Sequence, residues 1–226
     1  MPDIFDISDY STIIFDCDGV VLDSNFVKAE AFGLLALPFG RDASSRLVDY
    51  HLQNSAISRH VKIKYLLERI LPEIGLQGPF PTMESLLGDF ASLLSAKLRL
   101  CSLDPFIHRL RALSSNSSWM MASGADEVEL LDIMRYHNID RLFDKGIYGG
   151  PAPKLDVLKA KFLAGEILSP ALFVGDSLYD YECSKSINSD FVFVSHWTCE
   201  PNWSLFTSLN QVRVVDSLAC LAKAQI

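Results

Sequence analysis

The sequence lacks the marks of several protein classes. Its five cysteines, Cys17, Cys101, Cys183, Cys199 and Cys220, are odd in number and form no Cys-x-x-Cys pair. Neither a disulfide framework nor a zinc knuckle is expected, and all five read as reduced thiols. Basic charge is short: 20 Lys and Arg against 28 Asp and Glu give a net charge of −8. That composition supplies no basic footprint for a nucleic-acid partner. No apolar run approaches the ~20 residues of a membrane span, so no membrane partner is expected. The acidic start Met1-Pro2-Asp3-Ile4-Phe5-Asp6 has neither the basic nor the apolar region of a secretory signal, and the expected location is the cytoplasm. The phosphate-binding Gly-x-x-x-x-Gly-Lys-[Ser/Thr] loop, the dinucleotide Gly-x-Gly-x-x-Gly fingerprint, internal repeats and low-complexity stretches are all missing.

What is present is enough apolar residue, 49% of 226 positions against 21% charged, to bury a substantial core in one or two domains. Thr12-Ile13-Ile14-Phe15 is a β-branched and aromatic run without alternation, the pattern of a strand buried on both faces of a parallel sheet. Ala171 to Val174 repeats it, and Trp119 to Ala122 and Phe191 to Val194 do so less strictly. Helical patterns lie between: Asp126 to His137, Pro153 to Leu163 and Tyr179 to Ile187. The strand–helix alternation predicts a doubly wound α/β parallel sheet, with Val212 to Val215 as a last strand.

The stretch 25–103 reads differently, because it contains no strand-like run. Ile63, Leu66, Leu67, Ile70 and Leu71 fall on one helical face, with Lys62, Lys64, Glu68 and Arg69 opposite. Met83, Leu86, Leu87, Phe90 and Leu94 form a second such face, and Asn25 to Leu37 reads as a third helix. We therefore expect residues 1–24 and 104–226 to form the α/β core, and 25–103 an all-helical cap inserted after its first strand.

The first strand ends in Asp16-Cys17-Asp18-Gly19-Val20, and the Ala171 strand in Gly175-Asp176-Ser177-Leu178-Tyr179-Asp180. Ligand sites of open α/β sheets lie beyond the carboxyl ends of the strands. The four-residue spacing puts Asp176 and Asp180 on one face of a starting helix. If the two strand ends are neighbours, four carboxylates converge. Two such charges ~4 Å apart repel by about 4 kcal/mol at an effective dielectric near 20, so the cluster needs protonation or a cation. An oxygen-only donor set of Asp16, Asp18, Asp176 and Asp180 suits Mg²⁺ with a substrate phosphate. Ser123 and Gly124, after the Trp119 strand, offer a hydroxyl and an unhindered N–H to phosphoryl oxygens, and Lys154 opens a helix with a compact positive charge.

Taken in order, Asp16-Cys17-Asp18-Gly19-Val20, Ser123, Lys154 and Gly175-Asp176-Ser177-x-x-Asp180 resemble the four motifs of the haloacid dehalogenase superfamily. Order and spacing are similar to its phosphoglycolate phosphatase and β-phosphoglucomutase-like branch, which carries a helical cap. The resemblance implies a phosphatase acting on a small phosphorylated metabolite. Asp16 is then the nucleophile that forms an aspartyl-phosphate, and Asp18 the general acid and then base. Mg²⁺ would be held by the Asp16 carboxylate, the Asp18 backbone carbonyl and Asp176, with Asp180 as a ligand or a supporting carboxylate. Ser123 and Lys154 would hold phosphoryl oxygens. The acid at position 18 disfavours dehalogenation, since dehalogenase members lack it.

Departures from the pattern matter too. Lys154 sits in Gly-Gly-Pro-Ala-Pro-Lys instead of the commoner Lys-Pro-x-Pro, and Lys145 is the other candidate for the third motif. Residues Asn54 to His60 resemble the cap segment that reaches over the substrate in related mutases and phosphatases. From it Arg59 is the candidate substrate contact, whereas His60 and Lys62 are expected at the surface. Cys17 is expected to be a small packed side chain, and His196-Trp197 an ordinary surface pair. A phosphosugar mutase, and a non-enzymatic phospho-aspartate switch, are the alternative functions. A monomer or homodimer is expected.

Overall fold

A computed structural model describes residues 6–54 and 57–222. Six parallel strands form one sheet in the order β3-β2-β1-β4-β5-β6. They are β1 (Thr12–Phe15), β2 (Ser118–Asp126), β3 (Ile147–Gly150), β4 (Ala171–Gly175), β5 (Asp190–Val194) and β6 (Arg213–Val215). Every residue of β1 and β4 is buried, as continuous apolar strands covered on both faces must be. Ile13, Phe15, Trp119, Met121, Leu172 and Val174 point into one core layer. Ile14, Met120, Ala122 and Phe173 point into the other, with Leu158, Cys183 and Ile187. Each such fully buried side chain contributes roughly 1.5–3 kcal/mol. The buried Trp119 indole N–H donates to Ser114 Oγ at 3.0 Å, and the buried Thr12 Oγ1 accepts from Leu168 N at 2.8 Å.

Because β1 has β2 on one side and β4 on the other, the chain reverses its winding direction there. Such a switch point leaves a crevice at the carboxyl ends of the two strands.

The chain leaves the sheet after β1 and returns at β2. Between them lie α1 (Asn25–Ala36), α2 (Arg41–Gln53), α3 (Arg59–Tyr65), α4 (Leu71–Glu73), α5 (Met83–Leu98) and α6 (Ile107–Leu113). A π-helical turn, Leu66–Ile70, joins α3 to α4. Pro72 explains it: with no N–H to donate and a ring that crowds the carbonyl one turn back, it forces the helix wider. Thr82 caps α5, its hydroxyl accepting from Ser85 N at 3.1 Å. Phe32, Leu47, Ile63, Leu66, Leu86, Phe90 and Leu94 fill the interior of this helical cap, as the Ile63 and Met83 periodicities predict.

The core helices are α7 (Glu127–Tyr136), α8 (Lys154–Leu163), α9 (Leu178–Ser186) and α10 (Trp203–Leu209). Four elements had no sequence signal. β3 has two glycines among four residues, and α2 buries only Ala43, Leu47 and His51. α6 and α10 are too short, at seven residues each, to show a period. β2 also runs on beyond Ala122, so that Ser123 and Gly124 are strand residues past an irregular register and not a following turn. No helix among the described residues is long and apolar enough to cross a membrane. Ser55 and Ala56 of the cap segment, and the first five residues, lie outside the described residues.

Candidate active site

The loop after β1 is wound tightly over the crevice. Asp16 N donates to Val174 O at 2.9 Å, continuing the β1–β4 ladder by one residue, and Val21 N and Leu22 N both donate to Cys17 O at 2.9 Å. Gly19 has φ +76°, and a Cβ there would run into the Asp176 carboxylate and the Asn25 amide. Only glycine gives the turn and the close approach together. At the other strand end Gly175 lies against the Asp180 side chain, which likewise leaves no room for a Cβ.

Lys154, at the first turn of α8, ties the two strand ends together. Its Nζ is 2.8 Å from Asp16 Oδ1 and 2.7 Å from Asp180 Oδ1. Asp180 in turn accepts from Ser177 Oγ at 2.7 Å, and Ser177 Oγ caps α9 by accepting from Asp180 N at 3.2 Å. Asp176 Oδ2 accepts from Asn25 Nδ2 at 2.8 Å, and the same nitrogen donates to Trp197 O at 2.9 Å. One oxygen each of Asp16, Asp176 and Asp180 lies within 4.8 Å of the others, and all three residues are buried. The Asp18 carboxylate stands apart from this trio. It accepts from Ser24 Oγ and Lys28 Nζ, each at 2.5 Å, and from Ser123 Oγ at 3.3 Å.

Burial and mutual repulsion dominate the acids. Desolvation, with the charges of Asp180 and Asp18, raises Asp16 above the carboxylate range against the pull of Lys154. Asp176 is raised well above that range by burial and then by Asp16 and Asp180. Asp18 goes the other way: burial would raise it, but the Lys28 charge and the hydrogen bonds of Lys28 and Ser24 hold it below its usual value. Burial would also discharge Lys154, yet Asp16 and Asp180 keep its ammonium well above the usual lysine value. With all three carboxylates ionised against the one ammonium, the cluster would carry two negative charges on buried oxygen donors, which is why burial and repulsion raise Asp16 and Asp176. That donor set fits a hard divalent cation such as Mg²⁺.

A model of the haloacid dehalogenase-like hydrolase family matches residues 10–187. The chain belongs to the haloacid dehalogenase-like hydrolases. No curated protein matches it by sequence. Among solved structures it is similar to a predicted phosphoglycolate phosphatase of Haemophilus somnus, at 16% identity, TM-score 0.74 and coverage of 93% of this chain and 95% of that one. CbbY of Rhodobacter sphaeroides in complex with phosphate gives 17% identity and a TM-score of 0.68, with 93% and 95% covered. The β-phosphoglucomutase of Clostridium difficile gives 21% and 0.67, with 94% and 93% covered. At these identities the likeness is one of fold.

In this hydrolase Asp16, Asp18, Ser123, Gly124, Lys154, Asp176 and Asp180 gather at one crevice, which also holds Asn25, Lys28, Phe32, His51, Arg59, Lys62 and Phe90 from the cap. The space between core and cap is about 540 Å³, its solvent-filled mouth included. Lys145 does not line the crevice; Lys154 does. Arg59 lines it, but its guanidinium forks onto Glu129 of α7 at 2.5 and 3.1 Å. His60 is exposed, and His196 sits 3.9 Å from Asp216 with its side chain 56% exposed. Cys17 is packed and its thiol is pushed well up by burial.

Lys62 overturns the expectation of a surface residue. It is 2% exposed and its Nζ lies 2.8 Å from His51 Nδ1. The reason is that α3 is covered twice, with Ile63 toward the cap interior and Lys62 toward the crevice. Asn25, Lys28 and His51 went unrecognised in the sequence. Asn25 and Lys28 did leave a signal, a polar pair one helical turn apart directly after the first acidic motif. His51 left none.

Proposed function

We propose that this hydrolase is a Mg²⁺-dependent phosphomonoesterase of a small phosphorylated metabolite, working through an aspartyl-phosphate on Asp16. The observation that carries the reading is the Lys154 bridge. It ties Asp16 and Asp180, two members of the oxygen-only trio, to one ammonium and supplies a fixed, desolvated positive charge where phosphoryl oxygens would sit. Asp16, Asp176 and Asp180, with the backbone carbonyl of Asp18, would hold the cation. When bound it would neutralise phosphoryl charge and orient the substrate.

In the first step an Asp16 carboxylate oxygen attacks phosphorus, and the P–O bond to the leaving group breaks with proton donation from Asp18. In the second step Asp18 takes a proton from water, whose oxygen attacks phosphorus and frees Asp16. Lys28 favours the ionised Asp18 that this second step needs. Ser123 Oγ, which accepts from Ala125 N at 3.1 Å, is positioned to donate to the phosphoryl group. The cap over the crevice excludes bulk water. It also speaks against a phospho-aspartate switch, since such an acceptor needs no covering domain.

The test is phosphate release from a metabolite panel with Mg²⁺ in ¹⁸O-labelled water. Release of singly labelled phosphate, with a loss of about 10³-fold or more in Asp16→Asn, is expected. No release from any compound, or a fully active Asp16→Asn variant, overturns the reading. Unlabelled, rearranged phosphosugar identifies a mutase instead.

A further inference from the structure

The root of the cap and the loop that runs from β5 to α10 meet at Asp176. Ser24 and Asn25 stand at the N-terminus of α1, where residues of these types ordinarily cap a helix by accepting from its free N–H groups. Ser24, at the N-cap position, leaves that role, and its hydroxyl turns to Asp18 instead. Asn25 turns its amide to Asp176. The start of the cap helix is thus committed to two acids of the core.

The Asn25 amide has two N–H bonds, and both are used. One meets Asp176 Oδ2 at 2.8 Å and the other the Trp197 carbonyl at 2.9 Å. The next residue of that loop, Thr198, donates its hydroxyl to the Asp176 carbonyl oxygen at 2.6 Å. Asp176 is therefore held twice, by its main chain through Thr198 and by its carboxylate through Asn25, in a closed ring of hydrogen bonds. Glu200 braces the ring: its N–H donates to Thr198 Oγ1 at 3.0 Å, and its carboxylate accepts from Leu178 N at 3.1 Å. The Gly19 turn lies directly against the Asn25–Asp176 bond, since a Cβ there would strike both of its atoms. With Asn25 only 7% and Asp176 only 5% exposed, water competes little for that bond.

This arrangement bears on which cation the acids take. Mg²⁺ demands a near-ideal octahedron at about 2.0–2.1 Å, whereas Ca²⁺ binds at about 2.3–2.6 Å in flexible geometry and accepts both oxygens of one carboxylate. The bite of a carboxylate is too narrow for the Mg²⁺ octahedron. A carboxylate whose Oδ2 is drawn back to an amide offers Oδ1 alone.

We propose that Asn25 is the positioning residue of Asp176: it ties back Oδ2 so that a single oxygen faces the cation, and it thereby favours Mg²⁺ over Ca²⁺. This rests on the metal site of the phosphomonoesterase reading above and adds to it a residue of the cap that acts through Asp176.

Calorimetric titration of the metal-free full chain with Mg²⁺ and with Ca²⁺ tests it without any turnover. Asn25→Leu removes both N–H groups at nearly constant volume. It should weaken Mg²⁺ binding by about 10–100-fold and Ca²⁺ binding by no more than about threefold. Asn25→Ala carries the same expectation with a side chain short enough to avoid crowding, and it decides the matter where the Leu variant does not fold. A role confined to fastening the cap to the core would leave the ratio of the two affinities unmoved. Equal weakening of both cations, or unchanged affinities in a folded variant, overturns the positioning role and leaves the metal site standing. A wild-type chain that binds no Mg²⁺ overturns the metal site itself, and the positioning role with it.

Discussion

The Lys28 ammonium meets the Asp18 carboxylate at 2.5 Å, with only 13% and 17% of the two side chains exposed. Lys28 enters from the first turns of the cap, so a cap residue controls the protonation of the candidate acid and base of the core. Replacing it by Met removes the charge that holds Asp18 low and leaves burial to raise it. The limb of the pH–rate profile that Asp18 governs should move to higher pH by about 1–3 units. kcat/KM measured across pH with saturating Mg²⁺ reads this directly, and an unmoved profile would show that Lys28 does not tune Asp18.

Which parts of this arrangement were legible in the sequence follows from which signals are local. Thr12 to Phe15 and Ala171 to Val174 announce buried strands by themselves, and the acids at their ends inherit a position from the fold. Asp16, Asp18, Asp176 and Asp180 could therefore be placed in one crevice before any coordinates. Lys62 could not, because a lysine opposite an apolar stripe looks the same whether its face meets water or a second surface. His51 lies on a helix with few apolar residues, and its neutrality comes first from burial and then from Lys62 and Lys28 on two other helices. The Arg59–Glu129 fork joins residues 70 positions apart, a separation that no local pattern reports.

The buried carboxylate trio destabilises the chain wherever no cation compensates it. Asp16 is raised to about 7, above its unfolded value, so its contribution to stability is present at low pH and is lost as pH rises through about 7. Asp176 shifts in the same direction. Metal-free protein should accordingly melt higher at pH 5.5 than at pH 7.5. Mg²⁺ at about 100 times its Kd should add about 2.7 kcal/mol at the higher pH, a rise of roughly 5–10 °C in Tm. Asp176→Asn should raise the metal-free Tm and abolish most of the Mg²⁺ response. Scanning calorimetry with and without EDTA checks both, and a Tm indifferent to Mg²⁺ at pH 7.5 would refute the metal site.

Lys62 carries a cost of its own. Its folded value of about 7 lies below the ~10.4 of an exposed lysine, so the penalty is complete below pH 7 and relieved as pH climbs toward 10.4. Lys62→Met should stabilise the chain by about 1–3 kcal/mol at pH 6, after allowance for the lost hydrogen bond to His51. The gain should shrink by pH 10. Urea titrations at the two pH values measure the difference, and a destabilised variant at pH 6 would mean that other contacts of Lys62 outweigh its desolvation.

Arg59 reaches across from α3 of the cap to Glu129 on α7 of the core, and its fork is 11% exposed against 14% for its partner. The sequence alone suggests that Arg59 touches substrate; the geometry gives it a second role, as the latch that holds the cap shut. The two roles separate at Glu129. If Arg59 only contacts substrate, Glu129→Gln frees the guanidinium and should leave turnover intact or improve it. A latch predicts the opposite: Glu129→Gln and Arg59→Ala should each raise KM and lower kcat, together costing about 10-fold in kcat/KM, because an open cap admits water and loosens every cap contact. The double variant should then be little worse than either single one, with a coupling of about 1.4 kcal/mol between the positions, the size of one tenfold loss. Additive losses, or a fully active Glu129→Gln, would return Arg59 to a substrate contact alone.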